Sequence, residues 1–414
     1  MTVHQFLSST GRTGLRLATG VLAGALLAAT APTAGAAAAG AATVSGTAPG
    51  PTAARADGVA LQQALADIVA AGGSTAALAE VREGARTTWR GTAGTADLVT
   101  GAPVRADGYF RIGSITKTFV ATVVLQLAGE GRLRLDDTVE HLLPGTVPGG
   151  SGITLRQLLN HTSGIPDYTD DPQFELENEA DVLRWVGTGR WATYRPRQLV
   201  DIATAHPVLF PPGSGWSYSN TNYVLAGMVV ERLTGRSWEE EVRRRILLPL
   251  GLTRTSFPRS SPFVPEPHAH GYFSLSTGPV DVTLQSASGG SAAGSGISTT
   301  ADLDRFLAAL LGGRLLRPAE LAEMARTVEV RPGVGYGLGL QRMDSPCGPL
   351  FGHTGSVEGF QAALVGSQDG GRQIALSYNP FDRAKGAEQQ RAVLGLLVKS
   401  LCPPAPAGGA AQAG

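Results

Sequence analysis

Ser114 and Lys117 lie three residues apart, at the start of a stretch whose apolar residues recur at helical spacing. Positions i and i+3 share one face of a helix, so the two side chains are expected to be neighbours. A serine hydroxyl is a weak nucleophile until a base removes its proton, and a buried lysine can do so because burial lowers its pKa. The same spacing also occurs where serine caps a helix and the lysine is solvated. The pair therefore needs further partners to indicate catalysis.

Two short motifs further along the chain supply candidate partners. Residues 218–220 read Tyr-Ser-Asn and precede an apolar helical pattern that ends at Gly235, and residues 353–355 read His-Thr-Gly. Beside a lysine ammonium the phenol of Tyr218 is expected to ionise more easily, which makes it a second candidate base. Asn220 is expected to donate to an amide of the substrate, to cap the following helix, or to do both.

In this order, the three motifs resemble those of the serine penicillin-recognising enzymes, which include DD-peptidases, class C β-lactamases and related esterases. Residues 158–164 (Leu-Leu-Asn-His-Thr-Ser-Gly) and 335–339 (Gly-Tyr-Gly-Leu-Gly) add to the resemblance, which covers roughly residues 60–402. The pattern is most similar to that of secreted D-alanyl-D-alanine carboxypeptidases of actinomycetes. The resemblance implies an α+β fold of the β-lactamase/DD-peptidase type, with an antiparallel sheet flanked by helices and a mainly helical second lobe.

The resemblance also implies the roles of the first two motifs. Ser114 would attack an amide or ester carbonyl and form an acyl-enzyme. Either Lys117 or Tyr218 would take the hydroxyl proton, and the order stays open because a coupled pair titrates as one unit. The backbone N–H groups of Ser114 and of the strand residue after Gly355 would form an oxyanion hole.

The third motif is expected to form the wall opposite the nucleophile. His353 and Thr354 would line this wall, and Thr354 would offer its hydroxyl to a substrate carboxylate. Gly355 would let the substrate backbone approach the strand. His161, in a polar loop, is expected to have a structural role.

The same wall departs from the family pattern in ways that bear on the substrate. Many relatives carry lysine at the position of His353. Gln341 stands where an arginine is expected, and Arg342, one residue further, should point to the opposite face of its strand. Residues 286–296 are small where an aromatic wall is expected. These departures predict an open, weakly charged pocket that an esterase or a broader D-amino-acid peptidase would tolerate.

These features predict a secreted serine hydrolase that acts through an acyl-serine intermediate, with D-alanyl-D-alanine carboxypeptidase as the expected activity. Its partners would be D-Ala-D-Ala peptides of peptidoglycan and β-lactams. An esterase or a β-lactamase that uses the same site is the alternative, and a non-catalytic module that binds peptidoglycan or β-lactam is a minor one. No cofactor is expected. No metal is expected either, because His268 and His270 have no third ligand at suitable spacing.

The composition and the N-terminus bear on partners and compartment. The 414 residues include 34 basic and 34 acidic ones, so the neutral balance does not favour a nucleic-acid partner. Basic residues followed by an apolar stretch and Ala-Gly-Ala at 34–36 predict a signal peptide cleaved near Ala36, with a membrane anchor as the alternative. No membrane partner is expected for the mature chain. Cys347 and Cys402 are predicted to pair, because two cysteines in an oxidising compartment usually do.

The domain boundaries follow from composition and pattern. Residues 1–36 are assigned to the signal peptide, 37–56 to a disordered linker, 57–402 to the hydrolase domain and 403–414 to a disordered tail. Within the domain, 57–109 and 300–402 are predicted to form an α/β lobe and 110–299 a mainly helical lobe. Local predictions include a hairpin of residues 75–82 and 85–90, a short helix at 154–160 and a strand at 335–340.

Overall fold

The computed structural model describes residues 51–70 and 73–402, except for the side chains of residues 51–56 and 383. Helices and antiparallel strands alternate over this range in the order of an α+β protein. The helices are α1 (Pro51–Ala70), α2 (Thr116–Gly129), α3 (Val139–Leu142), α4 (Leu155–Leu159), α5 (Glu179–Gly187), α6 (Pro196–Thr204), α7 (Asn220–Thr234), α8 (Trp238–Val242), α9 (Leu248–Leu250), α10 (Ser291–Gly294), α11 (Thr300–Leu311), α12 (Pro318–Ala325) and α13 (Gly386–Leu401).

Nine of the described strands form one antiparallel sheet in the order β3-β2-β1-β13-β12-β11-β10-β9-β8, which confirms the predicted α+β class. Strands β4 and β7 form a separate pair, and so do β5 and β6. The strands are β1 (Ser74–Glu83), β2 (Arg86–Asp97), β3 (Ala102–Pro103), β4 (Phe110–Arg111), β5 (Tyr272–Leu275), β6 (Gly278–Asp281), β7 (Ile297–Ser298), β8 (Val328–Arg331), β9 (Val334–Tyr336), β10 (Gln341–Ser345), β11 (Gly348–Val357), β12 (Phe360–Ser367) and β13 (Arg372–Pro380).

The large sheet is covered on both faces, and strand β1 shows this directly. Leu78 packs into the main core, which includes residues of α2, α7 and α11, whereas Val81 packs into a second core that includes residues of α1 and α13. Successive residues of a strand point to opposite faces, so both sets of β1 side chains are buried. The predicted hairpin is present as β1 and β2, and β2 extends to Asp97.

The predicted strand at residues 335–340 is only partly correct. Strand β9 ends at Tyr336, and residues 337–340 form the turn into β10. In this turn Gly339 has a φ of +72°, and a Cβ on Gly337 would lie 2.1 Å from the carbonyl oxygen of Met324. The alternating glycines therefore provide a tight turn rather than the continued strand that their spacing suggested.

The remaining boundary predictions have different outcomes. The short helix at 154–160 is present as α4, with the Thr154 side chain at its N-cap. Helix α1 begins at Pro51, so it includes the last six residues of the segment assigned to the linker. Residues 1–36, the rest of the linker and the tail lie outside the described residues. The division into two lobes stays a prediction.

The predicted disulfide is present. Cys347, in the turn between β10 and β11, is bonded to Cys402 at the end of α13, and their Cα atoms are 5.4 Å apart. The bond therefore ties the end of the last helix to the β10–β11 turn of the large sheet. Over the described ranges, we find no helix that is both long enough and apolar enough to cross a membrane.

Asp304 on α11 is a buried acidic residue whose ionisation should affect the stability of the fold. Its carboxylate is fully buried, and neither oxygen has a hydrogen-bond partner among the described residues. Burial, and then the nearby Glu80, raise the pKa of Asp304 well above its usual value. Because the folded pKa is raised, the stability contributed by this group is present at low pH and is lost as the pH rises towards that pKa.

We expect Asp304→Asn to raise the free energy of unfolding by about 1–3 kcal/mol at pH 8, because it removes an unpaired buried acid whose ionisation the fold disfavours. The gain should shrink between pH 8 and pH 5, as measured by urea titration at each pH. Asp302→Asn on the same helix is the matched control. Its carboxylate accepts hydrogen bonds from the backbone N–H of Arg254 and the hydroxyl of Thr255, so its loss should destabilise the protein. A destabilised Asp304→Asn variant at pH 8 would contradict this account.

Candidate active site

The nucleophile candidate lies on a tight turn between β4 and the central helix of the main core. A 3-10 turn, Gly113–Ile115, leads directly into α2, and Gly113 has a φ of +48°. Most α2 side chains are buried, as expected for a helix that is apolar on nearly all sides. Ser114 is half-buried and faces a large cavity. The rigid helix thus fixes the direction of the Ser114 side chain.

Lys117 is fully buried one turn further along, as the spacing predicts. Its Nζ lies 3.0 Å from Ser114 Oγ, 2.7 Å from Asn220 Oδ1 and 2.8 Å from the carbonyl oxygen of Ala293. Burial lowers the pKa of Lys117 to about 7, against the opposing effect of the Asp167 carboxylate. In the neutral amine, two N–H groups can donate to the two carbonyl oxygens. The lone pair is then left facing the Ser114 hydroxyl.

Tyr218 also reaches the nucleophile through a hydrogen bond to the Ser114 side chain. Lys117 Nζ lies 4.8 Å from the centroid of its ring. Burial raises the pKa of Tyr218 strongly, and the Asp167 carboxylate adds to this rise. The expectation that the phenol ionises more easily beside Lys117 is therefore wrong for the free protein. A neutral Tyr218 is suited to donate a proton rather than to remove one.

Asn220 is the first residue of α7, and the N-cap position belongs to Ser219. The alternative that Asn220 caps this helix is therefore wrong. Its side chain is instead held at both ends: Oδ1 accepts from Lys117, and Nδ2 donates to Asp167 Oδ2 at 2.8 Å. The backbone N–H of Asn220 donates to the same carboxylate oxygen at 3.0 Å. Asn220 lines the cavity, as the proposed contact with substrate requires.

Strand β11 packs against the turn that carries the nucleophile. A Cβ on Gly355 would lie 1.9 Å from the carbonyl oxygen of Ile112, so glycine is needed for this packing. This close contact is a second reason for a glycine at this position, and the predicted role of Gly355 in admitting the substrate stays a prediction. A Cβ on Gly113 would lie 2.7 Å from the backbone N of Ser356, which places this N–H beside the turn. The N–H groups of Ser114 and Ser356 are thus the candidate oxyanion hole.

Thr354 lines the cavity, but His353 does not. His353 is buried on the same face of β11 as Phe351, in the direction of the main core. Its Nδ1 donates to the carbonyl oxygen of Thr354 at 2.6 Å, so Nε2 is the acceptor for the Tyr336 hydroxyl at 2.8 Å. Burial, and then Lys117, lower the pKa of His353 to about 3. His353 therefore lies behind the wall that it was expected to line.

The ring of His161 packs against the ring of Tyr218. His161 has a φ of +64°, and its Nδ1 accepts from the Ser219 backbone N–H and from Asn222 Nδ2, each at 3.2 Å. Its ring centroid lies 4.3 Å from that of Tyr218. Burial lowers the pKa of His161 well below its usual value, so the ring is neutral. These contacts agree with the structural role expected from the sequence.

Three groups at the site were missed by sequence reasoning. Tyr336 was considered only as part of a strand motif, and Asp167 was given no role. Ala293 lies in the small-residue run, where the short helix α10 brings its carbonyl oxygen to Lys117. A backbone carbonyl contributes in the same way whatever the side chain, so the sequence carried no signal for it.

The cavity in front of Ser114 has a volume of about 940 Å³. The Arg111 guanidinium at its wall is buried and donates to the carbonyl oxygens of Pro262, Thr283 and Gln285. Arg342 pairs with Asp344 at 2.5 Å and does not line the cavity, as its strand position predicts. The acidic residues that line it are Asp170, Glu175, Glu177, Glu358 and Asp382. The described residues contain no cluster of three side chains suited to a metal ion.

Comparison with known proteins places this arrangement in a family. The sequence model of the β-lactamase family matches residues 61–398. The chain belongs to the β-lactamase family. It is accordingly a serine hydrolase of the group that also contains penicillin-binding proteins, and the predicted family is confirmed.

Curated relatives of this β-lactamase family member carry several activities in their names. Penicillin-binding protein 4* of Bacillus subtilis is 29% identical over 294 residues, which span 66% of this chain and 61% of that protein. Penicillin-binding protein 4 of Amycolatopsis lactamdurans is 31% identical over 63% of this chain and 69% of its own length. Esterase EstB of Burkholderia gladioli is 37% identical, over 42% of this chain and 45% of that protein.

Solved structures similar to this family member include an amidohydrolase and an amidase. A D-stereospecific amidohydrolase from Streptomyces sp. is 42% identical with a TM-score of 0.75, over 84% of this chain and 99% of that one. The D-amino acid amidase of Ochrobactrum anthropi, in complex with L-phenylalanine amide, is 29% identical with a TM-score of 0.70. It matches over 82% of this chain and 98% of its own.

Proposed function

We propose that this protein hydrolyses amides and short peptides whose acyl group is a D-amino acid, through an acyl-enzyme on Ser114. The observation that carries the proposal is the environment of Lys117. Its amine has a pKa of about 7, and its two other partners are carbonyl oxygens that hold the N–H groups. The lone pair is thereby directed at Ser114 Oγ, 3.0 Å away. This is the geometry and the basicity that a general base needs.

The acylation step follows from these contacts. Lys117 takes the Ser114 hydroxyl proton while Oγ bonds to the substrate carbonyl carbon, and the carbonyl π electrons move onto its oxygen. The backbone N–H groups of Ser114 and Ser356 stabilise this oxyanion. When the oxyanion collapses, the C–N bond breaks and the leaving nitrogen takes a proton from Tyr218. Tyr218 then regains a proton from the Lys117 ammonium.

The acyl-enzyme is hydrolysed by the same groups in reverse. Water attacks the ester carbon, and its proton passes to Lys117 directly or through Tyr218. The new tetrahedral oxyanion is again held by the two backbone N–H groups. When it collapses, the bond to Ser114 Oγ breaks and this oxygen takes a proton from the Lys117 ammonium, which becomes the neutral amine again. The acid product leaves and the resting state is restored.

The charges around the cavity favour a substrate with a free amino group. Five acidic and two basic side chains line it among the described residues. Of the basic ones, Arg111 is committed to three carbonyl oxygens, and Arg190 donates to the carbonyl oxygen of Asp281. A negative cavity attracts an ammonium group and repels a carboxylate. The similarity to a D-stereospecific amidohydrolase and to a D-amino acid amidase supports the same substrate class.

The D-alanyl-D-alanine carboxypeptidase predicted from the sequence is the second candidate. It uses the same acyl chemistry on an N-acylated D-alanine with a carboxylate in the leaving group. The two penicillin-binding relatives favour it, and Thr354 lines the cavity where the leaving group would lie. An esterase activity has the support of the Burkholderia relative.

A panel of five substrates tests the choice by kcat/KM. It contains D-alanine amide, L-alanine amide, N-acetyl-D-alanine amide, a diacyl-L-Lys-D-Ala-D-Ala peptide and a short-chain p-nitrophenyl ester. We expect D-alanine amide to exceed both its L-enantiomer and its N-acetyl form by about tenfold or more, because each change mispositions or removes the ammonium group. Preference for the diacyl peptide over D-alanine amide would contradict the amidase proposal and favour the carboxypeptidase.

We also propose that the protein is secreted. The predicted signal peptide lies outside the described residues, and its cleavage near Ala36 stays a prediction. The Cys347–Cys402 disulfide supports an oxidising compartment, because such bonds are rare in reducing cytosol.

A further inference from the structure

Asp167 is a buried carboxylate that has no part in the proposed proton transfers between Ser114, Lys117 and Tyr218. It lies in the polar loop after α4, at the start of the turn Tyr168–Asp170, and is 4% exposed. Three N–H groups converge on it: the backbone and Nδ2 groups of Asn220 at Oδ2, and the Thr169 backbone at Oδ1. Such a set of donors stabilises the ionised form. Burial raises the pKa of Asp167, and these donors and Lys117 oppose the rise.

We propose that Asp167 is a positioning residue that acts through Asn220, by aiming the amide oxygen at Lys117 and by stabilising the ammonium that Lys117 becomes during acylation. The inference rests on the proposed acyl transfer at Ser114 and adds a residue to it. The chain of contacts is continuous, from Asp167 Oδ2 to Asn220 Nδ2 at 2.8 Å and from Asn220 Oδ1 to Lys117 Nζ at 2.7 Å.

The orientation of the Asn220 amide follows from the charges at its two ends. An amide has an acceptor oxygen on one side and a donor nitrogen on the other. If it were turned over, its NH₂ group would face the Lys117 amine and its oxygen would face the Asp167 carboxylate. The amide oxygen would then repel the carboxylate, and the NH₂ group would donate to the lone pair of the neutral Lys117 amine that Ser114 needs. The carboxylate therefore holds the amide oxygen at Lys117. The Lys117 lone pair stays free for Ser114 only while this oxygen holds one of the N–H groups.

The charge of Asp167 matters at the moment of proton transfer. When the Ser114 proton moves to Lys117, a neutral amine becomes an ammonium in a site with little water. A nearby negative charge stabilises the ammonium relative to the amine. Consistent with this, the Asp167 carboxylate raises the pKa of Lys117 against the effect of burial.

Two phenols also face the Lys117 amine. Tyr218 and Tyr223 place their rings 4.8 and 5.7 Å from Lys117 Nζ. Burial raises the pKa of each phenol, so both rings are neutral at pH 7.

Two histidines and one further carboxylate also interact with Lys117 or Asp167. The pKa values of His161 and His353 are lowered by burial and then by Lys117, so both rings are neutral as well. Asp170 is exposed, and its charge acts on Asp167 by raising the pKa of that carboxyl. Asp167 is therefore the group whose removal should change the Lys117 titration.

Asp167→Asn removes the charge and keeps the shape, so it separates the proposed role from simple packing. The readouts are the pH dependence of Ser114 phosphonylation by a fluorophosphonate and an NMR titration of the Lys117 amine. In the probe reaction Oγ bonds to phosphorus, fluoride leaves and the proton goes to Lys117. We expect the Lys117 pKa to fall by about one unit, and the midpoint of the pH–rate profile to move to lower pH by the same amount. The plateau rate should fall by about tenfold or more.

Asp171→Asn is the matched control, because it makes the same chemical change four residues further along the loop. The Asp171 carboxylate pairs with His206 and does not line the cavity, so neither readout should move. Asp167→Glu keeps the charge, and we expect it to retain the Lys117 pKa of the wild type while reacting more slowly. It also serves as the test if the Asn variant fails to fold, in which case a lowered Lys117 pKa in the Glu variant counts against the proposal.

An unchanged Lys117 pKa in folded Asp167→Asn would overturn the inference. Both readouts are independent of the natural substrate. If the shift is found but D-alanine amide is not hydrolysed, the substrate proposal fails and the role of Asp167 stands.

Discussion

Ser114→Ala is expected to abolish covalent labelling by fluorescent penicillin and to lower kcat by about 10⁴-fold or more, because the acyl-enzyme can no longer form. The hydroxyl is held 3.0 Å from Lys117 Nζ and faces the cavity on a turn that precedes a buried helix. The remaining groups can still bind substrate, so KM should change much less than kcat. Gel fluorescence and initial-rate kinetics on the same preparations provide the measurement.

The matched control is Ser286→Ala. Ser286 also lines the cavity, but its hydroxyl bonds to Ser288 and has no contact with the base. This variant should be labelled like the wild type. Labelling that persists in folded Ser114→Ala would remove Ser114 from the mechanism, and with it the shared basis of the amidase and carboxypeptidase proposals.

Lys117→Met is expected to lower kcat by about 10²–10⁴-fold, because the general base is lost while a side chain of similar length fills the space. Stability should not fall in parallel, since the variant removes an amine that pays a desolvation cost in the fold. Unfolding by urea and the rate of Ser114 acylation would be measured together. A large loss of the acylation rate without a matching loss of the free energy of unfolding would indicate that Lys117 has a catalytic role and not a structural one.

Lys117→Arg distinguishes a base from a fixed positive charge. A guanidinium stays protonated at any pH at which the protein folds, so it cannot accept the Ser114 proton. If Lys117 acts as a base, the Arg variant should be as inactive as the Met variant. Substantial activity in the Arg variant would show that the charge alone is needed.

The sequence was sufficient for groups whose function depends on side-chain type and local spacing. The distance of three residues placed Lys117 beside Ser114, because a helical turn follows directly. The Tyr218 and Asn220 motif was found for a similar reason, since it lies at the start of the apolar helix α7. The disulfide between Cys347 and Cys402 followed from the presence of two cysteines.

The sequence could not predict features of the site that depend on a backbone group or on a contact between residues distant in the chain. The Ala293 carbonyl reaches Lys117 through a turn of small residues, and no side chain marks it. His353 was assigned to the cavity wall, but the register of β11 turns it towards Tyr336. The close approach of Gly355 to Ile112 was missed as well, while the expected role of Gly355 towards the substrate stays a prediction. These three features depend on how β11 and α10 pack against neighbouring elements.

The pH dependence of Ser114 acylation tests the central claim, that neutral Lys117 is the base, most directly. Since the amine must be neutral to accept a proton, the acylation rate should rise as the pH increases through the Lys117 pKa of about 7 and then level off. Buried His353, with a pKa of about 3, and buried His161 cannot produce this limb. A limb near pH 7 that disappears in Lys117→Met is the predicted result. A rate that is flat from pH 5 to pH 9 in the wild type would contradict the account.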